Sequence, residues 1–140
     1  MTTYVADASA LLRYLDREPG FTRMADLLKE TARENTELLV SAVNWGEIIS
    51  VIYRAHGISV ARNTSSRLRA LPLNILPVDT EHAEAAGIFK QDFKVPYADA
   101  FAGALALLRG ATLITADFDF KPAAHAIQIE FLPGKKSTAP

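Results

Sequence analysis

Short apolar runs alternate with stretches of helical period along nearly all of the 140 residues, and this alternation constrains the fold more than any other feature. Runs at 3–6, 38–40, 73–76, 112–115 and 127–131 read as short buried strands. Between them, segments 9–16, 22–35, 43–56, 60–71, 79–93 and 98–109 place apolar residues at helical intervals. A short turn or helix is expected after residue 115. The punctuation agrees. Pro19-Gly20 stops the first helix, Gly57 ends the third, and Ser41, Ser59 and Asp79 stand where N-caps are expected. Strands and helices in this alternation predict an α/β domain with a mainly parallel central sheet flanked by helices. In such sheets, sites form beyond the C-terminal strand ends, where the strand order reverses. That rule directs attention to Asp7, Ser41 and residues 115–119.

With 49% hydrophobic and 22% charged residues, a chain of this length can bury its own core as one domain. The domain is expected over residues 1–132, and the small, polar, basic segment 133–140 reads as a flexible C-terminal tail. Absence of cysteine excludes disulfides, thiolate zinc sites and Cys nucleophiles. The three histidines show no HExxH spacing. No signal-like segment opens the chain, and the longest apolar run, 100–108, is far short of the ~20 residues that span a bilayer. A cytoplasmic protein without a membrane segment is expected. A net charge of −1 argues against a static, high-affinity DNA binder, because phosphate contacts favour basic surfaces. It suits an enzyme that grips its substrate briefly through a cation.

Four segments place acids where an acid is costly. Asp7 follows the first strand in YVADASALL, Glu47 lies inside the apolar helix SAVNWGEIISVIY, Asp99 opens PYADAFAGALAL, and Asp117 and Asp119 follow a strand in LITADFDF. No Lys or Arg lies within a helical turn of Asp99 or Glu47. Two carboxylates ~4 Å apart repel by about 4 kcal/mol at an effective dielectric of about 20. Acids that converge therefore need a cation, and oxygen-only ligands select Mg²⁺ or Mn²⁺ over zinc. Such an ion can activate water and offset charge on a phosphate. The Ser9 and Thr115 hydroxyls are placed to orient a carboxylate or a water.

Each acid also has an ordinary reading. Asp7 and Asp99 suit helix starts, and Asp117 and Asp119 suit a turn. Glu47 is interior to its helix, so a cap does not explain it; a salt bridge to Arg54 or a distant Arg is the alternative. Trp45 can serve the core or stack on a base. Arg13, Arg17 and Asn44 are candidates for substrate contact, as are Arg62, Arg67 and Arg69 on another helix. Glu81, Glu84 and Asp92 read as a solvated face shared with Lys90 and Lys94.

At the same four segments the chain resembles the PIN-domain nucleases, in particular the VapC toxins of toxin–antitoxin pairs. The resemblance runs from Tyr4 to about Phe131, and the four acidic motifs occur in the family's order. It implies a PIN-like three-layer fold and Mg²⁺-dependent endoribonuclease activity, with Mn²⁺ able to substitute. It implies catalytic roles for Asp7, Glu47, Asp99 and Asp117, metal contact by Asp7, Asp99 and Asp117, and support from Ser9, Thr115 and Asp119. The cut would be made by a metal-activated water. The resemblance further implies a homodimer and a cognate antitoxin that lays an apolar helix between surface helices; segments 22–35 and 60–71 are the expected groove walls. Two other readings of the architecture remain: a phosphoacceptor signalling domain, for which Lys121 is the nearest candidate for the required lysine, and a non-catalytic binding protein.

Overall fold

The computed structural model describes residues 1–33 and 35–135. Five strands form one sheet in the order β3-β2-β1-β4-β5, every neighbouring pair parallel. They are β1 (Thr2–Ala6), β2 (Thr36–Ser41), β3 (Asn74–Leu76), β4 (Thr112–Thr115) and β5 (Ile129–Phe131). The helices are α1 (Ala8–Leu15), α2 (Phe21–Thr31), α3 (Ala42–His56), α4 (Ile58–Arg69), α5 (Thr80–Phe93) and α6 (Tyr97–Arg109), and a 3-10 helix covers Phe118–Ala123. This is the three-layer α/β fold that the alternation of elements predicts.

The layers follow from the two-residue period of a strand. Val5, Leu39 and Leu113 face one core, shared with Phe89 of α5 and with Phe101 and Leu105 of α6. Their chain neighbours Ala6, Leu38, Val40 and Ile114 face the other, with Leu11 of α1, Met24 and Leu27 of α2, Ile48 of α3 and Leu68 of α4. Both faces of the strands are thus buried, which is why they read as continuous apolar runs. On α6 the small residue at 103 permits close approach of α5: a Cβ on Gly103 would run into the Phe89 ring.

Several boundaries differ from the sequence expectation. Gly57, at φ 89°, ends α3 and begins α4 in one residue, so Ser59 lies inside α4 and does not cap it. The left-handed φ explains why glycine holds the joint. Helix α2 stops at Thr31, short of residue 35, and residue 34 lies outside the described residues. Strand β5 begins at Ile129, because the Ile127 N–H is already bonded to the Ala123 carbonyl at 3.1 Å. Ser41 and Asp79 do cap α3 and α5, accepting from Val43 N–H and His82 N–H. Of the expected tail, the Pro133 carbonyl accepts from Arg13 and Lys135 pairs with Glu18, whereas 136–140 lie outside the described residues.

The chain winds outward from β1 to β3 on one side, then returns to place β4 and β5 on the other. The strand order therefore reverses between β1 and β4. Ligand sites of open parallel sheets form at such a point, and the segments carrying Asp7 and Asp117 emerge there.

Candidate active site

Asp7 follows β1 and caps α1. Its Oδ1 accepts from the Ala10 N–H at 3.0 Å and from the Ser9 hydroxyl at 2.8 Å. Its Oδ2 accepts from the Thr115 hydroxyl at 2.6 Å, across the β1–β4 junction. Ser9 Oγ in turn accepts from the Ala116 N–H at 2.9 Å, and Thr115 Oγ1 accepts from the Asp117 N–H at 3.0 Å. Each hydroxyl has one proton, and both protons go to Asp7. The 3.2 Å approach of Ser9 Oγ to Thr115 Oγ1 is therefore a contact of two acceptors in this arrangement. Asp7 is only 3% exposed. Burial pushes its carboxyl up to about 6 from 3.8, against the lowering effect of Thr115, Ala10 and Ser9. Desolvation outweighs three hydrogen bonds here.

Asp99 stands in the first turn of α6, where the helix dipole favours a carboxylate. Its carboxyl is nevertheless raised to about 8. Desolvation is the largest cause, followed by the Asp117 carboxylate, which lies within hydrogen-bonding reach, and then by the charges of Asp7 and Glu47. Asp99 thus feels acids from three other segments. Asp117 also caps the 3-10 helix, accepting from the Asp119 N–H at 2.9 Å. Asp119 is exposed and is not among the groups that perturb Asp99, so Asp117 is the member of the pair that joins the cluster.

Glu47 is half-buried in the second turn of α3, and its Oε1 accepts from the Asn44 side-chain amide at 2.7 Å. Among the described residues, the ion pairs are Arg23 with Glu30 and Glu130, and Lys135 with Glu18; none reaches the four acids. The salt bridge to Arg54 is not formed. Among the described residues, no three acids close into a ready-made coordination shell. Open carboxylate clefts suit Mg²⁺, which keeps several waters and takes only one or two protein carboxylates directly. The all-oxygen donor set and the unbalanced negative charge fit such an ion.

Other sequence candidates sit elsewhere. Arg13 is buried, and its Nη1 donates to the carbonyls of Pro19 at 2.8 Å and Pro133 at 2.7 Å, so it clamps the chain and does not face substrate. Arg17 is exposed, its guanidinium 5.0 Å from the Phe21 ring centroid. Asn44 is fully buried, which removes it from direct substrate contact. Trp45 is buried beneath Arg69 and belongs to the core. Lys121 lies 5.2 Å from the Phe118 ring centroid and is not among the groups acting on Asp99, which disfavours the phosphoacceptor reading. A groove of about 610 Å³ is lined by Lys90, Lys94, Pro96, Phe118 and Asp119 among others; it contains none of the four acids, although Asp119 lies two positions from Asp117. The sequence offered Lys90 and Lys94 only as a solvated face; their approach to Phe118 depends on how α5 meets the 3-10 helix. A separate cavity of about 240 Å³, lined by Leu76, Asp79, His82 and Arg109 among others, contains none of the four acids.

Comparison with curated proteins finds no match. Among solved structures, DNA-bound VapBC from Salmonella typhimurium gives a TM-score of 0.75 at 18% identity, over 94% of this chain and 98% of that one. VapBC2 from Rickettsia felis, bound to a promoter DNA fragment, gives 0.74 at 14% identity, over 94% and 100%. VapC20 from Mycobacterium tuberculosis, described as a toxin that cleaves the sarcin–ricin loop, gives 0.69 at 15% identity, over 93% and 99%. These likenesses are of fold. The sequence itself matches the PIN domain over residues 4–126, and the chain therefore belongs to the PIN domain family.

Proposed function

We propose that this protein is a Mg²⁺-dependent endoribonuclease, the toxin of a toxin–antitoxin pair. The observation that carries the proposal is the hydrogen-bonded junction that holds Asp7 through Thr115 to the Asp117 backbone at the β1–β4 switch point, with Asp99 under the influence of Asp117, Asp7 and Glu47, and no counter-cation among the described residues. When bound, Mg²⁺ or Mn²⁺ supplies a Lewis acid that activates water and offsets charge on phosphate oxygens. Asp7, Asp99 and Asp117 are the residues to hold it. Ser9 and Thr115 fix the Asp7 carboxylate, so that its geometry does not change when an ion arrives. Glu47 faces the same cleft and is suited to take a proton from water or to orient it. Asp119 supports Asp117, to whose carboxylate its backbone N–H donates.

RNA as the substrate rests on membership of the family and on likeness to toxins such as VapC20. The groove beside Asp119 gives a strand of RNA a path, with Lys90 and Lys94 for phosphates. The toxin reading also brings two protein partners, a second copy and an antitoxin. Exposed apolar side chains stand in two groups: Val51, Tyr53, Ile58 and Val60 on α3 and α4, and Ile88, Tyr97, Leu107 and Leu108 on α5 and α6. Helix α2 turns Met24, Leu27 and Leu28 inward and shows no large exposed hydrophobic side chain, so α3 and α4 make the better antitoxin wall.

The direct test is sequencing of RNA ends after brief expression, together with cleavage by purified protein. Cleavage should stop with EDTA and return with Mg²⁺ or Mn²⁺. Chelator-resistant cleavage, or none with either metal, contradicts the proposal. Native mass spectrometry of a co-expressed neighbouring gene product tests the partner.

A further inference from the structure

The amide of Asn44 carries more than its own helix. Its Nδ2 donates to Glu47 Oε1 at 2.7 Å and to the Ala98 carbonyl at 3.1 Å. Both partners are acceptors, so the orientation of the amide is settled: the nitrogen must face both. Its Oδ1 is then left in the interior with no hydrogen-bond partner among the described residues. Asn44 itself is 0% exposed. Burying an acceptor without a donor opposes folding. A leucine of similar volume would avoid that cost, so stability alone does not account for an amide at this position.

The two bonds have a geometric result. Glu47 belongs to α3, and Ala98 immediately precedes Asp99 on α6. One NH₂ group therefore ties the second acid to the turn that carries the third. We propose that Asn44 is a positioning residue, which locks the Glu47 carboxylate and sets its separation from Asp99 through a single amide bridge between α3 and α6. Asn44 acts through Glu47 and, being buried, makes no contact with substrate. The inference rests on the metal-nuclease reading of the site and deepens it.

The test uses the full chain as wild type, Asn44→Leu, Asn44→Ser, Glu47→Gln and Asn44→Leu/Glu47→Gln. Mn²⁺ binding is measured by titration calorimetry, RNA cleavage by steady-state kinetics and folding by circular dichroism. Asn44→Leu is expected to fold, to lose about tenfold or more in Mn²⁺ affinity, and to lose kcat by a similar factor. KM for RNA should stay within about twofold, as befits a residue that does not touch substrate. Asn44→Ser keeps one donor and should fall between Asn44→Leu and wild type. In the Glu47→Gln background, Asn44→Leu should cost less Mn²⁺ affinity than it does in wild type, because the part of the effect that passes through the Glu47 carboxylate is already gone and only the Ala98 bridge is left to lose. A folded Asn44 variant with wild-type Mn²⁺ affinity overturns the proposal, as do losses that add in full to those of Glu47→Gln. If neither Asn44 variant folds, the residue is structural and the proposal fails. The wild-type arm separates this from the wider reading: wild-type protein that binds no Mn²⁺ and cleaves no RNA refutes the nuclease assignment itself.

Discussion

The Thr115 hydroxyl reaches Asp7 Oδ2 at 2.6 Å, a side-chain bond that joins the ends of two adjacent parallel strands. The same oxygen accepts from the Asp117 N–H, so one hydroxyl positions one acid by donating and the backbone of another by accepting. Thr115→Val keeps the shape and removes both bonds. It is expected to destabilise the fold by about 1–3 kcal/mol. It should push the Asp7 carboxyl further above its present value of about 6, since the Thr115 bond is the largest lowering influence on it. Metal affinity and RNA cleavage should fall by about 10–100-fold. Unchanged Mn²⁺ titration and cleavage rate in the folded variant would show that Thr115 has no part in the site.

Asp99→Asn removes the acid that its neighbours oppose most. The metal-free variant should be more stable than metal-free wild type at neutral pH, because desolvation and the charges of Asp117, Asp7 and Glu47 no longer act on a carboxylate. RNA cleavage should disappear. Thermal unfolding without metal and a cleavage assay with Mg²⁺ check the two halves separately. Cleavage at the wild-type rate removes Asp99 from the mechanism.

Stability of the metal-free protein should depend on pH in a stated direction. Asp7 and Asp99 ionise near 6 and near 8 in the folded protein, against an ordinary 3.8. Well below that ordinary value both states keep the protons, and these acids contribute nothing. Above it the unfolded chain releases protons that the folded chain retains, so stability falls as pH rises toward 8. For fully buried Asp7 the rise from 3.8 to about 6 corresponds to roughly 3 kcal/mol. Urea unfolding at about pH 5 and about pH 8 should show wild type losing more stability than Asp7→Asn across the interval. Added Mg²⁺ should restore stability most at the higher pH, where it no longer competes with protons. A gap between wild type and variant that does not widen with pH argues against a buried, perturbed Asp7.

Gly103→Ala tests the packing that delivers Asp99. The added Cβ meets the Phe89 ring, and the ring or the helix that carries it must shift to receive it. A loss of about 1–3 kcal/mol is expected by chemical denaturation. Because α6 also carries Asp99, the cleavage rate of the folded variant should fall as well. A variant as stable as wild type would mean that the α5–α6 contact is loose.

Much of this architecture could be read before any coordinates, and the reason is that its cause is local. A strand buried on both faces must be apolar throughout, and a helix facing one core must repeat its apolar residues, so the order of elements shows in the letters. The acids could be picked out because each interrupts such a pattern. What escaped depends on contacts distant along the chain. Arg13 carries helical spacing and charge, which suggest an outer face. Only the meeting of α1 with the Pro133 carbonyl, 120 positions away, makes it a buried clamp. Asn44 looks like a helix-start residue until α6 is laid beside it. Ser59 is a good cap by composition, but the left-handed Gly57 starts the helix before Ser59 is reached. Asp117 could be preferred over Asp119 by its place nearer the strand end, and the 3-10 turn between them leaves Asp119 exposed while Asp117 acts on Asp99.

The β1–β4 junction has a consequence for biosynthesis. Asp7 is made before the other three acids, and its partner Thr115 follows 108 positions later. Asp117 comes later still, and β5 closes the sheet edge beyond it. A growing chain that has emerged only through α5 holds Asp7 and Glu47 and lacks Asp99, Thr115 and Asp117. No product that stops before Asp117 holds the complete set of acids. The centre therefore needs β4 docked beside β1, and a nascent chain that has not reached that point cannot assemble the acid cluster on which the proposed cleavage depends.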